Sequence, residues 1–94
     1  MSDKQSLPKK GRITVRIIEE ATGIREIKKV QAVRIQSKDY VLLIMDDYAP
    51  TLGEIDGRMA VLTEDNEELF DSVKGFYRLK DNEFTLVINA NTMD

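Results

Sequence analysis

The sequence predicts an all-β fold, a sandwich of two sheets built from roughly eight to ten short strands, and three observations lead there. Apolar residues alternate with polar ones at a period of two, as in Ile13-Thr14-Val15-Arg16-Ile17, the signature of a half-buried strand. Turn-forming clusters punctuate the chain at Ala21-Thr22-Gly23, Ser37-Lys38-Asp39, Asp46-Asp47, Ala49-Pro50, Asp56-Gly57, Glu64-Asp65-Asn66 and Lys80-Asp81-Asn82, at roughly the 8–12-residue spacing of a sandwich or barrel. The only helical rival is Ile24 to Gln31, where Ile24, Ile27 and Val30 keep a three-residue spacing; with no cap in register and strands on both sides, it reads as a short exposed strand.

The elements follow in order. Residues 1–11 (MSDKQSLPKKG) have no apolar periodicity and read as a flexible leader. The domain is placed at 12–90 and a frayed C-terminus at 91–94. Ile13 to Ile17 open the domain, and Val30 to Ile35 form a second strand whose alternation changes parity between Ala32 and Val33, which a one-residue bulge repairs. Tyr40 to Met45, reading YVLLIM, is apolar on both faces and is expected to be a central strand covered on both sides. Further strands are expected at Met59 to Thr63, Glu68 to Val73, Gly75 to Leu79 and Phe84 to Asn89, with Phe84, Leu86 and Ile88 on one face. Asp56-Gly57 is the clearest hairpin-type turn.

Composition narrows the function. The chain has 94 residues, room for one core. Its net charge of −3, from seventeen acids and fourteen bases, offers no basic field for nucleic acid. No apolar stretch approaches the ~20 residues of a membrane-spanning helix, and the N-terminus lacks the apolar segment of a secretory signal, so a cytoplasmic protein is expected. Without cysteine or histidine there is neither thiolate chemistry nor the usual base for a nucleophilic hydroxyl, and neither phosphate-cradling glycine motif occurs. No catalytic, cofactor or metal residues are assigned, and the expected activity is protein binding.

Three features could carry more. Asp46-Asp47 could bind a hard cation or act as an acid pair in a small hydrolase, but a solvated turn explains the pair without the further ligands a calcium loop needs. Glu64, Asp65, Glu67 and Glu68 could steer a basic partner or simply decorate a hairpin tip. Tyr48-Ala49-Pro50 places an aromatic beside a proline after an apolar strand, either to cap the core or to anchor a partner.

From Arg12 to Ala90 the order of segments resembles the N-terminal domain of the epsilon subunit of F-type ATP synthases. ITVRII at Ile13 to Ile18 is similar to that family's opening TVRIV; Tyr48-Ala49-Pro50-Thr51-Leu52 stands where the family has GHAPLL; Lys74-Gly75-Phe76-Tyr77-Arg78-Leu79 and Phe84-Thr85-Leu86-Val87-Ile88 stand where it has GGFLEV and VTVLA. The resemblance implies a β-sandwich that serves as a central-stalk component, docked on a gamma-like subunit near Tyr48, Thr51 and Gly53. It also implies a contact with the membrane rotor ring at the loop that includes Asp39, Tyr40 and Val41. That loop departs from the family, whose glycine-rich PGxEGELGIxPGH is replaced from Gln36 to Tyr48 by a segment without glycine. The family's C-terminal helical hairpin has no counterpart before Asp94, so the inhibitory function tied to it is expected to be missing. The alternative is a free-standing adaptor that shares the fold and not the partner.

Overall fold

The computed structural model describes residues 11–89. The expected leader at 1–10 and the expected frayed end at 91–94 lie outside the described residues; Gly11, assigned to the leader from the sequence, is buried. Six strands follow in order: β1 (Ile13–Glu19), β2 (Gly23–Ser37), β3 (Tyr40–Met45), β4 (Thr51–Thr63), β5 (Glu67–Lys80) and β6 (Glu83–Ile88). They form one sheet in the order β1-β6-β5-β4-β2-β3, and pairing of β1 with β2 closes it into a five-stranded barrel with β3 added beside β2. Every pairing is antiparallel except β1 with β6.

The all-β expectation holds among the described residues, but one closed sheet of six strands stands where two sheets of eight to ten short strands were expected. The difference comes from long strands that run through positions read as breaks. β5 joins the two segments expected at Glu68 to Val73 and Gly75 to Leu79, and β2 joins the two expected on either side of Val30. Asp56-Gly57 is no hairpin turn: it lies within β4, where Gly57 passes so close to β2 that an added Cβ would fall 2.2 Å from the Gln36 carbonyl oxygen.

Bulges let these strands bend. The register of β2 shifts against β1 near Lys29, whose φ is 60°, and again against β4 between Val30 and Ala32. A bulge bends a strand and increases its twist, so the two halves of β2 can serve different neighbours: the first pairs with β1 and the second with β3 and β4. The second bulge supplies a parity change, at Gln31 and not between Ala32 and Val33 as expected. Val30, Val33 and Ile35 point into the core, whereas Ala32 is buried on the outer side. At the β5–β6 hairpin, Asp81 and Asn82 take φ of 52° and 63°, the left-handed pair that a tight two-residue hairpin requires.

The interior is filled by the inward parity of each strand. Ile13, Val15 and Ile17 of β1, Ile55, Met59 and Val61 of β4, and Phe84 and Leu86 of β6 are all buried. Tyr77 stacks on Phe84 with ring centroids 5.1 Å apart. Full burial of each such side chain contributes about 1.5–3 kcal/mol.

β3 departs most from expectation. It closes one end of the strand order and, among the described residues, its backbone pairs only with β2, so it is an edge strand. Tyr40, Leu42 and Ile44 turn inward; Val41, Leu43 and Met45 are 70%, 49% and 41% exposed. An apolar run reads as covered on both sides, but cover is supplied by neighbouring elements, and among the described residues nothing lies over the outer face. Leu42→Ala should therefore cost about 2 kcal/mol, at the low end for a core leucine because Leu42 is only partly buried. Leu43→Ala should change stability by less than about 0.5 kcal/mol. Chemical denaturation of both variants checks the contrast, and equal losses would mean that the outer face is covered.

Candidate protein-docking faces

Among the described residues, two groups of neighbouring apolar side chains stand out on the outside of the barrel. The first is the outward face of β3, continuous with a groove of about 430 Å³ lined by Ala32, Arg34, Leu43, Met45, Asp46 and Leu62. The second lies across β4, β5 and β6: Phe76 stands directly opposite Val87, with Leu52 diagonal to Phe76 on the same side. Phe76 is 56% exposed, and Leu52 and Val87 are exposed beside it. Contiguous apolar surface on a small protein marks a place where something else binds. Arg78, opposite both Leu52 and Thr85, and Glu54, opposite Phe76, place charges within this second area.

The residues expected at partner contacts are not gathered in one place. Asp39 lies in the turn that enters β3 and Tyr48 in the loop that leaves it, separated by the length of a six-residue strand, about 17–20 Å. Asp39 and Val41 are exposed, and Tyr48 is 37% exposed and outside the core cluster, so all three are available to a partner. Tyr40 instead packs against the core, and its hydroxyl donates to the Glu54 carbonyl at 2.6 Å, tying β3 to β4. Thr51 is half-buried and donates its hydroxyl to the Ala49 carbonyl at 2.8 Å, shaping the turn into β4. Gly53 is needed for packing: a Cβ there would fall 2.6 Å from the Tyr77 ring.

The acidic features are largely committed to structure. Asp46 accepts the Arg12 backbone N–H at 2.9 Å, Asp47 pairs with the Arg12 guanidinium, and the Asp47 N–H donates to the Asn82 side chain at 2.7 Å. Together these contacts pin the end of β3 to the start of β1 and to the β5–β6 turn. Of the acidic cluster, Glu67 pairs with Arg34 at 2.8 Å and Glu68 forms a two-pronged pair with Arg25 at 2.5 and 2.6 Å. Both bridges join β5 to β2, so half of the cluster is neutralised locally. Among the described residues no three carboxylates gather in a group that could hold a metal ion. Burial, reinforced by hydrogen bonding to Tyr40, pushes the Tyr77 hydroxyl well above its ordinary range, so it stays protonated as an interior group.

Leu43, Met45, Leu52, Phe76 and Val87 were not singled out from the sequence. For Phe76 a signal existed: Val73, Tyr77 and Leu79 share one parity, which sends Phe76 to the other face. For β3 there was none, because both parities are apolar.

No protein-family model matches the chain, and no curated protein sequence does. Among solved structures, the chain is similar to one from the central stalk and c-ring of the mitochondrial ATP synthase of Tetrahymena thermophila. The TM-score is 0.67 at 12% identity, over 93% of this chain and 69% of that one. The shared property is the fold.

Proposed function

We propose that this chain is a non-catalytic, epsilon-like component of the central stalk of an F-type rotary ATP synthase, docking on a gamma-like subunit and helping to couple the rotor to the catalytic head. The observation that carries this reading is the fold shared with a central-stalk and c-ring structure over nearly the whole chain. The order of the ITVRII, YAPTL, KGFYRL and FTLVI segments points the same way. The exposed apolar areas supply what a docking module needs, since interface energy concentrates in a few aromatic and apolar anchors that lose water on binding. In this role the chain is held at the cytoplasmic face of the membrane by its complex, without inserting itself. Contact with the rotor ring would fall on Asp39 and Val41, with Tyr40 as their support.

Tyr48 is the anchor to test. It lies in a loop, outside the core cluster and partly exposed, so Tyr48→Arg should leave the melting temperature of the isolated chain nearly unchanged. The same variant should weaken binding to a gamma-like subunit by about 2 kcal/mol, as for a central aromatic hot spot. Melting of the variant alone and its titration against the gamma-like protein encoded nearest in the genome decide the matter. A folded variant that binds as tightly as the parent removes this surface, and a parent chain that binds no gamma-like protein leaves the adaptor reading.

A further inference from the structure

Sheet edges in soluble proteins are ordinarily blunted by a charge, a proline, a bulge or a covering element. Among the described residues β3 has none of these. Its six residues, YVLLIM, carry no charge and no proline, their pairing with β2 runs without a register shift, and among the described residues no strand pairs with the other edge. The strand is flanked by charges, Lys38 and Asp39 before it and Asp46 and Asp47 after it. Lys38 on one side and Asp46 on the other have opposite signs, which suits antiparallel pairing of the strand with itself.

We propose that β3 pairs antiparallel with β3 of a second copy of this chain, about a two-fold axis at Leu42. A two-fold perpendicular to the sheet keeps inward faces with inward faces, so only registers centred on a residue are allowed. Centring on Leu43 would set Asp39 opposite Asp47 of the second copy, and like charges directly opposed are unfavourable. Centring on Leu42 sets Lys38 opposite Asp46 at both ends and Val41 beside Leu43 on the exposed face. Lys38 can turn to this partner because its present pair with Asp56 is 3.5 Å long and its side chain is 70% exposed; Asp46 keeps the Arg12 N–H on Oδ1 and offers Oδ2, which lies 3.6 Å from the Arg12 guanidinium. The pairing extends the sheet across both copies and satisfies the open backbone edge of each. It is a property of the chain alone and does not rest on the stalk reading.

The chain has no cysteine, so the register can be read by cross-linking. Val41→Cys and Leu43→Cys change exposed side chains and should leave the fold intact. Under mild oxidation an equimolar mixture of the two should give a disulfide-linked dimer, while each variant alone should give little, because only the mixed pair stands directly opposite. Efficient linkage of Leu43→Cys with itself would overturn the proposed register. Sedimentation of the unmodified chain across a concentration series should show a monomer–dimer equilibrium, and a chain monomeric throughout would overturn the proposal. Leu43→Lys, which by symmetry alters two cross-strand pairs, should raise the dimer Kd by about tenfold or more without lowering the melting temperature; an unchanged Kd would show that the copies meet elsewhere.

Discussion

Replacing Phe84 by alanine should destabilise the domain by about 3–5 kcal/mol, the range for a fully buried aromatic removed from a packed core. Phe84 is 0% exposed and lies on β6 between β1 and β5, directly opposite Val15 and Leu79. Its ring also stacks on Tyr77 at 5.1 Å with an interplanar angle of 19°, so truncation removes apolar burial and an aromatic pair at once. The surrounding strands are held in a closed barrel and cannot collapse far into the space, which keeps the loss near the upper end. Denaturant titration with the slope compared between parent and variant measures it. Since a domain of this size has a total stability of about 5–15 kcal/mol, the variant should be partly unfolded at ambient temperature if the parent lies near the lower bound. A loss below about 1 kcal/mol would mean that the core is not closed around β6.

Gly53→Ala should cost about 3 kcal/mol, the upper part of the range for an added methyl in a filled interior. The new Cβ would lie 2.6 Å from Cε2, Cζ and Oη of Tyr77. That ring has little room to yield, being stacked on Phe84 and 4% exposed. Tyr77→Leu should relieve the clash, so the double variant should be more stable than the sum of the two single losses predicts, a coupling measurable in a double-mutant cycle. Additive losses would mean that Gly53 is required for another reason. The result also assigns Gly53 a role: one expected beside a partner from sequence resemblance instead acts through packing, and loss of stability in the isolated chain separates the two.

Strand identity was legible wherever one parity was apolar and the other polar. β1 and β6 read correctly because Ile13, Val15 and Ile17, and Phe84 and Leu86, alternate with polar or exposed neighbours. The exposed first half of β2 read as a strand because its three-residue spacing had neither a cap nor a helical neighbour. What misled was punctuation: Asp56-Gly57 has the chemistry of a turn, but in β4 the glycine provides close approach between backbones, a use that local sequence cannot distinguish from a turn. The division of β5 at Gly75 failed for the same reason, since an added Cβ there would fall 2.2 Å from the Val87 carbonyl oxygen of the neighbouring strand. The division of β2 near Val30 failed because a bulge interrupts the alternation as a turn does, yet the chain continues in the same sheet.

Among the candidate contact residues, exposure and charge were legible for Asp39, Tyr48 read equally as a core cap or an anchor, and Tyr40 and Gly53 depend on partners distant in sequence, Glu54 and Tyr77. By itself the sequence determined that the described chain is built of strands and which faces of β1 and β6 are apolar, because these follow from local alternation. Only the tertiary structure decided that β3 is an edge and not a centre, and that Gly57 lies against β2 within a strand and not in a turn. It likewise decided that Asp46 and Asp47 hold Arg12 and Asn82 in place. The physical reason is common to all three: a side chain's surroundings are set by the strands that hydrogen bonding brings beside it from elsewhere in the chain, and periodicity carries the direction of a side chain without saying what lies there.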